Sequence, residues 1–329
     1  MITKRTDIVQ TEFLEGQGLG NQLWVYASGK AVARTLDRPH VCTGLARFKG
    51  NAFLEILSDH DPAPELPVDR FHEKIFYDQE LAFFSSTFDK RVYTAGDRVQ
   101  LTGLYQSERY LCGHMTQLRD WIKPSTMVTN KALKYRDTCV INIRGGEYKR
   151  HKRLILPDDY WASALRVMRE HQEFNDVLVV SDDVAYAKLM FPSLPVLNGS
   201  VEDCYAALLG AKCAILSNSS FAYFPIKTRH DKPFVIAPEK WARYADNIGR
   251  WAMPCNCYED WNYLPPNGML RSYRDCIGDA EADAKYYESE FNICLPNNTT
   301  IGSFKTRFVP QVIKKSMRRL LTKLLPKYF

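Results

Sequence analysis

Three polar clusters each follow an apolar run, and their side chains are of the types that bind phosphates and sugar hydroxyls. The clusters are Arg144-Gly145-Gly146-Glu147 after 138–143, Asp182-Asp183 after 177–181, and Asn218-Ser219-Ser220-Phe221 after 213–217. A guanidinium beside two glycines presents a forked cation with room for an anion to approach the backbone. Arg144 is therefore the first candidate for holding a phosphate, the alternative being a surface arginine in a loop.

The other two clusters each allow a functional and a structural interpretation. Ser219 and Ser220 begin a predicted helix, where free N–H groups and hydroxyls can cradle an anion, or the cluster can simply cap that helix. Asp182 and Asp183 can accept hydrogen bonds from a ribose or a purine N–H, or cap the next helix. Because the clusters follow successive strands, together they favour a nucleoside diphosphate ligand.

The elements that position these clusters are predicted from 136 to 238. Short β-branched runs at 138–143, 177–181, 213–217 and 234–237 alternate with helical patterns near 158–171, 184–191 and 203–211. Short buried strands alternating with helices indicate a parallel sheet in a Rossmann-like domain. Ligands bind at the carboxyl ends of such strands, so the three clusters should meet in one crevice.

A glycine-rich turn near the N-terminus is the second feature of interest. Gly16, Gly18 and Gly20 precede a helical pattern that places Leu23, Ala27 and Ala31 on one face, with Asn21 as the predicted N-cap. The spacing resembles a dinucleotide-binding fingerprint, but Asn21 stands at its third glycine and only Asp37 could serve as the ribose acid. A dehydrogenase is therefore disfavoured.

The sequence predicts no metal centre. Asp59-His60-Asp61 precedes three prolines and is better explained as a turn, and Cys255-x-Cys257 lacks a second closely spaced pair. The nine cysteines, several inside apolar runs, indicate reduced thiols. Because the first residues hold too short an apolar stretch for a secretory signal, we expect a cytoplasmic protein.

Six motifs, taken in order, resemble those of the α-1,2-fucosyltransferases of glycosyltransferase family 11, bacterial type. They are Gly16-Gln17-Gly18-Leu19-Gly20-Asn21-Gln22, Gly103-Leu104-Tyr105-Gln106-Ser107-Glu108-Arg109-Tyr110, Ile141-Asn142-Ile143-Arg144-Gly145-Gly146-Glu147-Tyr148, Leu156-Pro157-Asp158-Asp159-Tyr160, Val180-Ser181-Asp182-Asp183 and Ser217-Asn218-Ser219-Ser220-Phe221. The resemblance covers about residues 8–240, and the ordered set is more specific than any single motif.

This resemblance implies an α/β, GT-B-like architecture of two Rossmann-like domains facing across a cleft. It implies a metal-independent, inverting transfer of L-fucose from GDP-fucose to a sugar hydroxyl, with an α-1,2 linkage to galactose. The residues that it assigns to the donor or the reaction centre are Gly20, Asn21, Gln22, Arg144, Asp182, Ser219, Ser220 and Phe221. Further candidates for donor binding in the same motifs are Gly18, Asn142, Asp183 and Asn218. Glu147 by position and Glu15 by adjacency to the glycine turn are candidate general bases.

The third motif also departs from the family pattern. Asn142 replaces a histidine, Gly145 an arginine and Glu147 an aspartate, so one cation is lost beside the pyrophosphate. Lys149, Arg150, Lys152 or Arg153 are candidates to replace that charge. The departures leave two alternatives open: the same fold with a different nucleotide sugar, and a nucleotide-sugar-binding protein without catalysis.

The charge of the chain is concentrated at its C-terminal end. The 329 residues carry a net +6, but 303–329 hold eight Lys and Arg and no acid, which leaves 36 basic and 38 acidic residues elsewhere. Nucleic-acid binding by the body is therefore not indicated. Residues 311–325 predict a cationic amphipathic helix, which either packs on the body or, within 308–329, contacts an anionic membrane surface presenting a lipid-linked oligosaccharide acceptor.

The composition and these patterns predict four segments. With 45% hydrophobic and 25% charged residues and no apolar run of about 20, the chain is globular rather than disordered or membrane-spanning. We expect an acceptor-side domain over 1–135 and a nucleotide-sugar domain over 136–255. A C-terminal extension over 256–302 and a basic tail over 303–329 are predicted to follow.

Overall fold

A computed structural model describes residues 7–59, 68–78, 83–150, 154–241, 244–245, 250–251, 254–265 and 268–290. All of them belong to one compact unit. The predicted basic helix at 311–325 lies outside the described residues.

The first sheet is built from four parallel strands in the order β2-β1-β7-β4. The strands are β1 (Ile8–Glu12), β2 (His40–Thr43), β4 (Asp69–His72) and β7 (Arg98–Thr102). Between β1 and β2 runs the long helix α1 (Leu19–Thr35), which packs on β1. Two antiparallel pairs accompany the sheet: β3 (Leu54–Ile56) with β8 (Ile122–Pro124), and β5 (Ile75–Asp78) with β6 (Phe83–Ser86).

The second sheet has six strands in the order β10-β9-β11-β12-β15-β16. They are β9 (Thr138–Ile143), β10 (Asp176–Ser181), β11 (Cys213–Leu216), β12 (Phe234–Pro238), β15 (Asn262–Leu264) and β16 (Arg271–Ser272). All pairings are parallel except that of β15 with β16. The expected extension after residue 255 thus contributes two strands to this sheet.

The remaining elements are short apart from α4 and α8. The helices are α2 (Leu118–Trp121), α3 (Thr126–Ala132), α4 (Asp158–His171), α5 (Val184–Met190), α6 (Val201–Gly210), α7 (Tyr223–Lys227) and α8 (Tyr273–Glu290). Strands β13 (Tyr244–Ala245) and β14 (Arg250–Trp251) pair with each other. The predicted α/β class is confirmed, and all predicted elements between 136 and 238 are present with ends shifted by at most two residues.

Helix α1 begins earlier than the sequence suggested, so the prediction of Asn21 as its N-cap is wrong. Gly18 is the N-cap, with extended backbone at φ −72° and ψ 155°, and Gly16 turns the chain with φ +81°. Asn21 therefore lies inside the first helical turn, where its side chain is free to make tertiary contacts.

The core joins both sheets through α1. The predicted face of α1 is fully buried. The Trp24 ring lies 4.2 Å from the tilted Tyr223 ring and stacks on the Tyr258 ring at 5.5 Å. Val140 and Val180 of the second sheet belong to the same hydrophobic cluster. The two sheets of the described residues therefore pack as one body, and the start of α1 lies next to the loop that follows β11.

Candidate functional site

Arg144 lies at the carboxyl edge of the second sheet with its guanidinium between two carboxylates. Its Nη1 is 2.9 Å from Asp182 Oδ2 and its Nη2 is 3.4 Å from Glu147 Oε1. The guanidinium carbon lies 5.4 Å from the centre of the Tyr148 ring. The side chain is 31% exposed, so the cation is held in place while one side remains open to solvent.

The two aspartates after β10 both have structural partners. Asp182 Oδ1 accepts the N–H of Gly145 at 2.9 Å. Asp183 caps α5 by accepting the N–H of Tyr186 at 3.0 Å, and an ion pair with Lys149 holds the pKa of Asp183 below its ordinary value. The capping interpretation of Asp183 is therefore present in the structure, and Asp182 positions Arg144.

Gly145 lies too close to α5 to carry a side chain. A Cβ there would be 2.7 Å from Asp183 Cβ and from Tyr186 Cδ1. At Gly146 the backbone has φ +32° and a Cβ would collide with Asp182 Oδ2. Position 145 holds an arginine in the family that the motifs resemble. Here the Lys149 Nζ contacts Asp183 and lies 5.9 Å from the Tyr186 ring, and these are the two residues that a Cβ on Gly145 would meet.

The third cluster is tied to the first by hydrogen bonds across the sheet edge. The Tyr148 hydroxyl donates to the carbonyl of Asn218 at 3.2 Å, and Asn218 Nδ2 donates to the carbonyl of Leu154 at 3.1 Å. Ser219 Oγ accepts the N–H of Phe221 at 3.4 Å as an N-cap. The helix it caps is only a three-residue 3-10 turn over Ser220–Ala222 that continues into α7.

Two buried polar atoms at this edge have no hydrogen-bond partner among the described residues. They are Asn142 Oδ1, in a residue 5% exposed, and Ser217 Oγ, in a residue 2% exposed. The residues are adjacent, because the N–H of Ser217 donates to the carbonyl of Asn142 at 2.8 Å. Buried polar groups are normally paired, so this edge retains unused hydrogen-bonding capacity.

The start of α1 approaches this edge from the first half of the chain. A Cβ on Gly20 would lie 2.6 Å from the carbonyl carbon of Ser220 and 2.7 Å from the nitrogen of Phe221. Ser220 Oγ donates to Asn21 Oδ1 at 2.8 Å. Glycine at position 20 therefore permits a backbone contact that brings Asn21 to the third cluster.

Not every residue of the glycine motif faces the site. Gln22 is fully buried, and its amide donates to the carbonyl of Arg47 at 2.8 Å and accepts the N–H of Lys49 at 2.9 Å. It holds the 45–49 segment rather than the sheet edge. Gly18 has open space around its Cα, and Phe221 packs beside Tyr205 at a ring distance of 6.4 Å.

Sequence reasoning missed two amide residues at the site. Gln106 Nε2 donates to Asn21 Oδ1 at 2.8 Å, and Asn256 Nδ2 donates to Gln106 Oε1 at 3.2 Å. Gln106 lies in the second of the six sequence motifs, where it was assigned no role, and no local pattern around Asn256 distinguishes it. In the same motif Glu108 is buried against Lys227 at 2.9 Å, and burial raises its pKa although Lys227 opposes the shift.

The candidate bases are both on the surface. Glu147 is 70% exposed and is paired with Arg144, and Glu15 is exposed beside the glycine turn. No contact of the described residues links either carboxylate to Asn21.

The described residues contain no group of three or more His, Cys, Asp or Glu that could hold a metal ion. Asp59 is engaged by Lys30 at 3.0 Å and Arg34 at 3.3 Å, and it accepts the N–H of His40. His60 and Asp61 lie outside the described residues. The eight described cysteines are free thiols. No helix in the described ranges is both long and apolar enough to cross a bilayer.

Comparison with known proteins places similar chains among glycosyltransferases. No family model matches the chain. It is 32% identical over 121 residues to the O-antigen biosynthesis glycosyltransferase WbnK of Escherichia coli, a match covering 32% of this chain. The chain spans only 39% of that relative's length.

Three solved fucosyltransferase structures resemble the chain at low sequence identity. NodZ α-1,6-fucosyltransferase soaked with GDP-fucose is 12% identical, with a TM-score of 0.45 over 70% of this chain and 94% of that one. A mutant of Arabidopsis thaliana FUT1 in complex with GDP is 11% identical, with a TM-score of 0.45 over 72% and 71%. POFUT1 in complex with GDP is 11% identical, with a TM-score of 0.43 over 71% and 99%.

Proposed function

We propose that this chain is a glycosyltransferase that moves L-fucose from GDP-fucose to a sugar hydroxyl, with inversion and without a metal. The observation that carries the proposal is Arg144, a partly exposed guanidinium positioned by Asp182 where three strand ends meet. The ordered family motifs and the partial similarity to an O-antigen glycosyltransferase support the same reaction class.

The chemistry requires positive charge at the departing diphosphate. Arg144 supplies a bidentate cation at the sheet edge, and Lys149 adds a second positive charge close by. Well-placed donors of this kind contribute about 3 kcal/mol each to transition-state stabilisation. These side chains are the charges assigned to the leaving group in a mechanism that uses no metal.

The acceptor hydroxyl needs a partner on the opposite side of the donor sugar. We assign that position to Asn21, which lies in the first turn of α1 and accepts a hydrogen bond from Ser220 Oγ. Glu147 is the candidate base nearest to Arg144, and binding of the diphosphate would displace its carboxylate from the guanidinium. The weak, exposed pairing of Arg144 with Glu147 favours such an exchange.

The finer assignment is an α-1,2 linkage to galactose in a surface polysaccharide or a lipid-linked oligosaccharide. It rests on the motif resemblance alone. We place the enzyme on the cytoplasmic side, with the 308–329 segment at the inner membrane surface. An acceptor carried by a lipid would be presented there.

Two alternatives each have an observation in their favour. Gly145 has no space for the family's arginine, which favours a donor other than GDP-fucose bound in the same fold. The engagement of Arg144 by two carboxylates favours a protein that binds nucleotide sugars without turning them over.

An assay with a panel of GDP-, UDP- and dTDP-sugars separates these possibilities. Nucleotide release and sugar transfer are measured with and without oligosaccharide acceptors, in parallel with binding of each donor. Turnover of GDP-fucose supports the proposal, and turnover of another donor supports the first alternative. Binding without turnover supports the second, and absence of both contradicts all three.

A further inference from the structure

We propose that Gln106 and Asn256 are positioning residues that fix the orientation of the Asn21 side-chain amide. In the proposed orientation the Asn21 NH2 group faces the site and donates a hydrogen bond to an oxygen of the bound donor or acceptor. The orientation follows from contacts of the described residues, whereas the identity of the ligand oxygen rests on the proposed function.

The carbonyl oxygen of Asn21 is fully used within the protein. It accepts one hydrogen bond from Ser220 Oγ and one from Gln106 Nε2, both at 2.8 Å. An amide oxygen has two lone pairs, so a ligand finds no free acceptor there. The Asn21 nitrogen has no acceptor among the described residues, and the residue is only partly buried. The NH2 group is therefore the part of this side chain available to a ligand.

Gln106 is itself oriented by a more deeply buried amide. Its Oε1 accepts from Asn256 Nδ2 at 3.2 Å, and Asn256, which is 1% exposed, also donates to the Tyr258 hydroxyl. Gln106 is 7% exposed. Reversing either amide would bring two N–H groups or two oxygens together in a buried environment, which is costly because both would lose their partners.

The three amides therefore form a relay whose direction is set in the core. It runs from the 254–258 segment through the 103–110 motif to the first turn of α1, and it ends beside the Ser220 loop. Residues distant in sequence thereby determine which atom of Asn21 meets a ligand. A simple structural clamp would hold the same segments together without requiring that polarity.

The polarity is tested by replacing the donor group of Gln106 with an oxygen of the same shape. In Gln106→Glu the carboxylate can no longer donate to Asn21 Oδ1. The Asn21 side-chain amide should therefore flip, which exchanges the positions of its oxygen and its NH2 group. We expect kcat to fall by about tenfold to a thousandfold, the range for loss of one transition-state donor, while the Kd for GDP changes less than threefold. Gln172→Glu, the same change at the opposite end of the second sheet, is the matched control.

A double-mutant comparison separates positioning from structural support. In an Asn21→Ala background, Gln106→Glu should lower kcat by less than about twofold, because there is no amide left to orient. Equal losses in both backgrounds would overturn the proposal in favour of a clamp. Unchanged kcat in the single variant would also overturn it. Thermal unfolding of each variant shows whether the protein remains folded.

A spectroscopic measurement tests the relay even if no donor is turned over. The side-chain 15NH2 resonance of Asn21 is assigned by its absence from Asn21→Ala. This resonance should shift in Gln106→Glu and should not shift in Gln172→Glu. It should also shift in Asn256→Asp, although Asn256 does not itself contact Asn21. Failure of wild-type turnover with these shifts present would reject the proposed function alone. Unshifted resonances would reject the relay.

Discussion

At the scale of single residues, Arg144 has two partners that differ in exposure. The Asp182 side chain is 28% exposed and also accepts the N–H of Gly145, whereas Glu147 is 70% exposed and makes one long contact. An exposed ion pair contributes little to stability, so an incoming phosphate can replace Glu147 at small cost. Asp182 would remain and hold the guanidinium in place.

Replacing Arg144 by alanine should lower kcat/KM by several orders of magnitude. The loss follows from removal of the main cation at the diphosphate. Steady-state kinetics with the donor identified by the panel provide the measurement. Arg166→Ala is the control, because Arg166 pairs with Glu170 on the exposed face of α4. Activity of Arg144→Ala within tenfold of the wild type would contradict the role assigned to it.

At the scale of elements, the contact between α1 and the Ser220 loop depends on Gly20. The backbone of Ser220 occupies the space of a Cβ at that position. Backbone atoms cannot move aside as a flexible side chain can, so any side chain at position 20 must separate the two elements.

Gly20→Ala should therefore lower the free energy of unfolding by about 1 to 3 kcal/mol, as overpacking does, and reduce activity further by displacing Asn21. Urea denaturation and donor turnover measure the two effects. Gly278→Ala in α8 is the control, since no atom beyond the adjacent helix backbone lies within 4 Å of its Cβ position. That change should leave activity unaltered and raise stability by up to about 1 kcal/mol. Equal behaviour of the two variants would refute the contact.

A second feature at this scale is the buried carboxyl of Glu73, which supports the turn carrying Gln106. Glu73 accepts the N–H groups of Leu104 and Tyr105 at 2.8 and 2.9 Å and the hydroxyl of Tyr110 at 3.0 Å. Burial raises its pKa to about 7, although these hydrogen bonds oppose the shift. Tyr105 has φ +51°, so the turn is a strained conformation held by this carboxyl.

This raised pKa predicts a pH dependence of stability. The folded state binds the Glu73 proton more tightly than the unfolded state, so protonation of Glu73 stabilises the fold. This contribution to the free energy of unfolding is complete below the ordinary pKa of 4.5 and is lost as pH rises through about 7. Glu73→Gln should remove that decline from the Tm between pH 5 and 8, whereas the exposed Glu173→Gln should retain it. A decline of equal size in Glu73→Gln would show that other groups cause it.

The parts of the fold that could be predicted are those with long, regular patterns. β9 and α4 begin and end where the sequence suggested, because a six-residue buried strand and an amphipathic helix each have a clear period. Between 37 and 135 most strands have three to five residues and alternate with 3-10 turns, so no period develops. Gln106 and Glu73 lie in that region, and their roles depend on contacts distant in sequence.

For the site, the sequence predicts which residues lie together but not how their side chains are oriented. Parallel strand order brings Arg144, Asp182 and Asn218 to one edge, and alternation of strands and helices is enough to infer this. Three details of the site depend on atomic packing instead. They are the direction of the Gln22 side chain, the orientation of the Asn21 amide and the contacts of Asp183. A sequence motif identifies such residues but does not predict which of their atoms face a ligand.

At the scale of the whole molecule, one hydrophobic cluster includes residues of both sheets, and the charge is unevenly distributed along the chain. Residues outside 303–329 carry 36 basic and 38 acidic side chains, and the last 27 residues carry eight basic ones. The basic segment lies outside the described residues, so its membrane role stays a prediction from sequence.

Deleting residues 308–329 should move the protein from the membrane to the soluble fraction. Each basic residue near an anionic surface adds about 1 kcal/mol of attraction, and the apolar face adds burial. Flotation with anionic and neutral vesicles at low and high salt measures the effect. Replacing Lys314, Lys315, Arg318 and Arg319 by glutamine is the matched control for charge. Unchanged partitioning of the deletion would favour a helix packed on the body.

We propose that Arg144 holds a nucleoside diphosphate at the sheet edge. Titration calorimetry with GDP, GMP and guanosine tests it directly, because only GDP carries the second phosphate. We predict that GDP binds the wild type at least about tenfold more tightly than GMP, equivalent to ~1.4 kcal/mol, and that Arg144→Ala abolishes this difference. Equal affinity for GDP and GMP, or a difference that survives in Arg144→Ala, would contradict this role of Arg144.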